Sequence, residues 1–203
     1  MTTRPLRNRV DPFGALHAVT ARGTLMGNRG GRFHADDQTI GARRHVSRRW
    51  IACVCEFRGR HRHVWGAGYT ELFFLDEITA LAAGHRPCFE CRRAEATRFA
   101  AVLGGRTPMN ADAMDDILDR ERRVGRDKRL HSCLIDTLPD GAMIARAGDA
   151  FALRGDTLLP WRFAGYGAPL PRPRGVRVGA LTPPSICRAL TAGYKPQWFG
   201  TGA

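Results

Sequence analysis

A chain of 203 residues is long enough to bury a core as one domain or as two small lobes, and 43% hydrophobic content fits a soluble globular protein. No apolar run approaches the roughly 20 residues that span a bilayer, and the opening MTTRPLRNRVDPFG has no apolar stretch to act as a secretory signal, so cytoplasmic residence is expected. A net charge of +13 favours a polyanionic partner, with nucleic acid ahead of a membrane surface because no long basic amphipathic helix is present to lie on lipid.

Residues 1–30 are punctuated by Pro5, Pro12, Gly14, Gly23, Gly27 and Gly30, which predicts irregular or short-strand structure wrapped on the core. Arg22, Arg29 and Arg32 among these glycines suit an anion-binding concavity, although a solvated turn is the commoner use of such residues. After a turn at HADD and the basic run ARRHVSRRW, the segment WIACVCEF predicts the best strand of the chain, Trp50 to Phe57. Alternation then puts Cys53, Cys55 and Phe57 on one face.

A second strand is expected over Thr70 to Leu75, leading into a short helix capped by Asp76 and stopped by Gly84 and Pro87. A further helix restarts from Cys91 to about Leu103. Beyond Gly104 and Gly105 a helix is predicted from about Asn110 to Val124, acidic at its start and basic at its end as the helix dipole prefers.

Residues 134–181 read as short strands, with turn signals at Asp140-Gly141, Gly148-Asp149 and Gly155-Asp156, hence a small antiparallel sheet or partial barrel. The last helix should run from Thr182 to Ala192, with Pro183 in its first turn. ALAAGHRP (80–87) and ALTAGYKP (189–196) echo each other and predict one helix-stopping device used twice. The expected class is α+β, a zinc-knuckle strand-helix-helix module plus a small sheet with a C-terminal helix. Its divisions are a basic zinc-binding module over 1–104, a connecting helix and basic exit over 105–131, and a β-rich lobe over 132–203.

In a reducing compartment the six cysteines are better read as metal ligands, where they cluster, than as disulfides. Cys88 and Cys91, two residues apart on a knuckle that opens a helix, match half of a tetrahedral thiolate zinc site. Arg86, Arg92 and Arg93 beside them would lower the cost of thiolate charge. Cys53 is the favoured third ligand, with Cys55 or one of His34, His61 and His63 as the fourth, while Cys133 and Cys187 are assigned to packing.

TELFFLDEITALAAGHRPCFECRR resembles the metal-binding domain of the Ada type, the zinc module of bacterial DNA methyl-phosphotriester repair proteins, over about residues 50–95. The resemblance implies a four-thiolate zinc site, one thiolate of which accepts an alkyl group from the DNA backbone. Cys88 and Cys91 carry over directly, whereas the upstream pair of the family is replaced here by Cys53-x-Cys55.

The function expected on these grounds is a zinc-stabilised DNA-binding protein, acting in recognition or repair of damaged or modified DNA. Arg43, Arg44, Arg48, Arg49, Arg58, Arg60, Arg62, Arg92 and Arg93 would meet phosphates, with Trp50, Trp65 and Tyr69 as stacking platforms. The alternatives are a nucleic-acid enzyme, either a zinc-thiolate alkyl acceptor with Cys53 or Cys55 as the nucleophile or a metal-dependent nuclease or glycosylase with His34, Asp36, Asp37, His61 and His63 as candidate acid/base groups, and a non-catalytic RNA- or ribosome-associated zinc protein.

Overall fold

The computed structural model describes residues 4–60 and 63–200. The α+β class is as expected, with two main sheets and four α-helices among the described residues. The first sheet has six strands in the order β2-β1-β5-β3-β4-β6: β1 (Arg9–Val10), β2 (Leu16–His17), β3 (Leu25–Arg29), β4 (Trp50–Val54), β5 (Leu72–Phe74) and β6 (Arg86–Pro87). All five residues of β3 are buried, in antiparallel register from Leu25 opposite Val54 to Arg29 opposite Trp50. Gly27 permits this closeness: a Cβ there would lie 2.2 Å from the Ile51 carbonyl oxygen.

Helix α1 (Glu77–Ala82) is wholly buried. Asp76 caps it, accepting from the Thr79 amide at 2.9 Å. The stop is a Schellman motif: Gly84 sits at φ 88, its amide donates to Leu81 O, and the His85 amide reaches back to Ala80 O at 2.9 Å. The same pair of bonds recurs at the end of the last helix, from Gly193 to Leu190 O and from Tyr194 to Ala189 O. The sequence echo is therefore one termination device used twice.

Helices α2 (Arg93–Gly104) and α3 (Ala111–Arg122) follow, the latter capped by Asn110. The predicted basic exit after α3 is a two-stranded hairpin, β7 (Arg123–Val124) with β8 (Asp127–Lys128). The second sheet is antiparallel throughout and runs β13-β12-β11-β10-β15-β9, with β14 on β12; its strands are β9 (His131–Leu134), β10 (Met143–Arg146), β11 (Asp149–Arg154), β12 (Thr157–Arg162), β13 (Gly165–Tyr166), β14 (Leu170–Pro171) and β15 (Arg177–Ala180). Asp140-Gly141 does not close a hairpin but leads into β10, and the Asp140 carboxylate accepts from the Gly155 amide at 2.8 Å. Helix α4 (Pro184–Thr191) closes the fold.

Packing crosses residues 104 and 131. Leu81, Phe99, Met114 and Ile186 share one buried cluster, and Leu75, Ile78, Met143 and Trp161 another. Two consecutive carboxylates explain why α1 sits between the sheets. Asp76 accepts from the Tyr166 hydroxyl at 2.9 Å and the Phe199 amide at 3.0 Å. Glu77 accepts from Tyr194 at 2.6 Å and the Gln197 amide at 3.0 Å, so the C-terminal segment is fastened onto the start of the helix.

Candidate metal centre

Strand β6 is only two residues long, but it pairs in parallel with β4, Ile51 beside Arg86 and Ala52 beside Pro87. The pairing continues one residue further, where the Cys88 amide donates to Ala52 O at 3.0 Å. A turn closed by the Arg92 amide on Cys88 O, at 3.0 Å, then brings Cys91 back towards β4 before α2 begins. The ligand-capable sulfurs of Cys53, Cys88 and Cys91 consequently all lie within 4.8 Å of one another. Zinc bound at about 2.3 Å from each sulfur holds tetrahedral thiolates about 3.8 Å apart, so the spacing suits a metal.

The surroundings suit one too. Met26, Ile51, Tyr69 and Phe73 pack around the sulfurs, which excludes water and strengthens metal–thiolate attraction. The Glu90 amide points at Cys88 Sγ from 3.4 Å. Hydrogen bonds from the Cys53 and Cys91 thiols and from the Cys91 and Glu90 amides hold Cys88 far below an ordinary thiol. Cys53, hydrogen-bonded to that thiolate and to Cys91 and buried besides, is pushed up in turn. Three crowded sulfurs that cannot all ionise unaided are what a soft cation resolves, by taking the charge of each.

The predicted fourth ligand, Cys55, is not in the cluster. Alternation holds only inside a strand; β4 ends at Val54 rather than Phe57, and the chain bends at Cys55, which is exposed and donates to Thr24 O at 3.5 Å. His34 is buried elsewhere, bonded to Thr70 Oγ1 at 2.8 Å and Gly66 O at 3.1 Å. His63 is exposed and outside the cluster, and His61 lies outside the described residues. The described residues thus supply three of the four donors that zinc takes. Cys133 and Cys187 pack against the core of the second sheet, as expected.

The basic residues divide into three groups. Arg43, Arg58 and Arg93 are exposed, and Arg44 is half-buried. Arg48, Arg49 and Arg60 are exposed but engaged, with Asp116 at 2.7 Å, Asp112 at 3.1 Å and Glu90 at 2.8 Å. Arg92 is a correction: it is buried and donates to Glu77 at 2.7 Å, so it faces neither phosphates nor the metal. Arg86 is likewise buried, in a two-pronged pair with Asp115 at 2.9 and 2.8 Å, and is neutralised before it reaches the sulfurs. Arg62 lies outside the described residues.

Two of the predicted stacking platforms are covered. Trp65 lies against His34 with ring centroids 5.3 Å apart, and Trp50 is buried with the guanidinium groups of Arg29 and Arg122 over its ring; Tyr69 stays half-buried near the sulfurs. Asp36 and Asp37 are exposed, separated in burial from His34. Helices long and apolar enough to cross a membrane are absent among the described residues. Comparison with protein-family models, curated proteins and solved structures finds no match for the chain.

Proposed function

We propose that the chain is a zinc-stabilised nucleic-acid-binding protein, DNA ahead of RNA, and that the Ada-type resemblance points to recognition or repair of damaged or modified DNA. The observation that carries this reading is the meeting of Cys53, Cys88 and Cys91 between β4 and the turn that opens α2. A metal held there fastens the strand flanked by Arg48, Arg49, Arg58 and Arg60 to the helix that opens with Arg93. Soft thiolates select zinc, copper(I) or iron–sulfur clusters, and zinc is the redox-inert choice for a scaffold. Net charge supports the partner, since a +13 chain attracts polyphosphates over a Debye length.

A second reading is favoured by one feature: Cys88 lines a surface cavity of about 560 Å³ together with Arg49 and Tyr69. An alkyl phosphotriester seated there would pass its alkyl group to the Cys88 sulfur, forming a C–S bond, breaking the C–O bond and leaving a phosphodiester.

Metal analysis of the purified chain, with fluorescence anisotropy on duplex, single-stranded and RNA oligomers across a salt series, tests the first reading. One zinc per chain and an affinity that falls steeply with salt are expected. A metal-free chain whose melting and oligomer binding are untouched by Cys88→Ser with Cys91→Ser would overturn it. Mass spectrometry after incubation with phosphotriester DNA tests the second, through an alkyl mass gain on Cys88.

A further inference from the structure

Four arginines are buried among the described residues: Arg29, Arg86, Arg92 and Arg122. Three of them hold a carboxylate, Arg86 on Asp115 at 2.8 Å, Arg92 on Glu77 at 2.7 Å and Arg122 on Asp119 at 2.7 Å. Arg29 does not. Its hydrogen bonds go to neutral acceptors, Gly14 O at 2.9 Å and His85 Nε2 at 3.3 Å. The nearby acid Asp11 is occupied with His17 at 2.8 Å. A buried cation without a counter-charge is costly, and its neighbours make the position worse.

Those neighbours are cations. The guanidinium carbons of Arg29 and Arg122 both lie over the Trp50 ring, 3.9 and 4.0 Å from its centroid. Lys128, on β8, donates to Ala82 O beside them. Loss of water and the Arg122 charge hold Arg29 down at about 9. Loss of water, with Arg122 and Arg29, holds Lys128 at about 7. Cation–π contact with Trp50 attracts guanidinium groups but neutralises none of them.

All three groups line one cavity of about 510 Å³, whose walls carry seven Arg and Lys side chains and a single carboxylate, Asp127. Arg44 and Arg126 stand at the wall as well, and Phe13 and Val46 give it an apolar side. Buried polar atoms without partners border it, Nε of Arg122 and Nδ1 of His45. Arg29 lacks the direct carboxylate partner given to its three buried counterparts. The missing counter-charge fits a ligand.

We propose that this cavity binds a phosphate monoester, its doubly charged phosphoryl group seated between Arg29, Arg122 and Lys128 and its organic body against Phe13 and Val46. Guanidinium groups offer paired N–H donors that match phosphate oxygens, and the second negative charge of a monoester answers the excess of cations better than a diester does. A free phosphorylated metabolite and the 5′-phosphate end of a nucleic-acid strand share this chemistry. The site is separate from the cysteine cluster and stands whether or not the metal-centred reading holds.

Isothermal titration of the full chain with inorganic phosphate, a nucleoside 5′-monophosphate, the matching nucleoside, and oligonucleotides with and without a 5′-phosphate tests the proposal. The monophosphate should bind at one site at least about tenfold more tightly than the nucleoside, a difference of about 1.4 kcal/mol. Arg44→Gln with Arg126→Gln, both on the cavity wall, and separately Lys128→Gln, should each weaken it at least about tenfold, while Arg106→Gln, exposed and outside the cavity, should not. Arg29→Gln should abolish saturable binding in a chain whose near-ultraviolet circular dichroism is unchanged; should that variant not fold, the other two decide. Preference for the phosphorylated end over the free monophosphate names nucleic acid as the source, and the reverse names a metabolite; either supports the site. Equal affinity for nucleoside and monophosphate, or phosphate binding indifferent to both wall variants, overturns it. Binding of 5′-hydroxyl DNA speaks only to the metal-centred reading.

Discussion

Cys88 is set beside Cys53 by backbone: the Cys88 amide donates to Ala52 O at 3.0 Å, extending a parallel pairing of two residues that aligns the knuckle with β4. The candidate metal centre therefore depends on a main-chain contact as well as on three thiols, and each part answers to a different substitution.

Serine in place of Cys53, Cys88 or Cys91 should remove the metal, and Cys55→Ser should not, because Cys55 is exposed beyond the strand end. Metal loss of about 3 kcal/mol in stability would lower the melting temperature by about 6–12 °C for a chain of this size. Elemental analysis and calorimetry of the four variants check both halves. Metal loss in Cys55→Ser alone would reject the assigned ligand set.

Gly27→Ala should destabilise by about 1–3 kcal/mol and disturb the cysteine cluster, because the added Cβ meets the Ile51 carbonyl at 2.2 Å and the Phe74 ring at 2.8 Å, next to the Met26–Cys53 pair. Gly41→Ala, where a Cβ meets no atom within 4 Å, is the control. Denaturant titration of both separates close packing from a general intolerance of alanine.

Removing the Glu77 carboxylate, as in Glu77→Ala, should cost about 3–5 kcal/mol by leaving Arg92 buried and unpaired. Tyr194→Phe, which takes away one 2.6 Å hydrogen bond to the same carboxylate, should cost about 1–2 kcal/mol. Hydrogen exchange in residues 194–199 should quicken in both, since Glu77 and Asp76 accept from Gln197 and Phe199 there.

Stability should rise with pH above neutrality. Lys128 is held down at about 7 in the fold against 10.5 free, and Arg29 at about 9 against 12.5. Between the folded and free values the unfolded chain binds more protons, so the penalty for these cations is full below the folded pKa and is relieved as pH rises through it. Lys128 gives the window from about 7 to 10.5, with a slope of at most about 1.4 kcal/mol per pH unit. Chemical denaturation at pH 7, 8 and 9 should show the rise, and Lys128→Met should flatten it. An unaltered slope in that variant would place the proton elsewhere.

For nucleic-acid binding, Arg58→Gln and Arg93→Gln should each reduce the salt slope by about 1, since both are exposed and in no ion pair among the described residues. Arg92→Gln should lower stability instead, because its charge is spent on Glu77. Anisotropy across a salt series, set beside melting curves, distinguishes the two behaviours.

Much of the fold is written in short stretches. Asp76 as a cap, Gly84 and Gly193 as helix stops, Asn110 before α3 and the turns around Gly148 and Gly155 each act within a few residues, where dihedral preference and one hydrogen bond decide the outcome. The Cys88–Cys91 knuckle belongs with them. The place where β4 ends does not, since nothing in the spacing of Cys53 and Cys55 says that the strand stops between them.

What the residues determined alone was thus the α+β class, the helix punctuation, a pair of cysteines shaped for a soft cation, and a large positive charge. What tertiary structure decided was partnership: Cys53 over Cys55, carboxylates that silence Arg86 and Arg92, and Arg29 brought onto Trp50 with Arg122 from 93 positions further along. The physical reason is range. A cap or turn is settled by neighbours in the chain, whereas the worth of a charge or a thiol depends on burial and on which distant groups share its low-dielectric surroundings, and only the folded packing sets those.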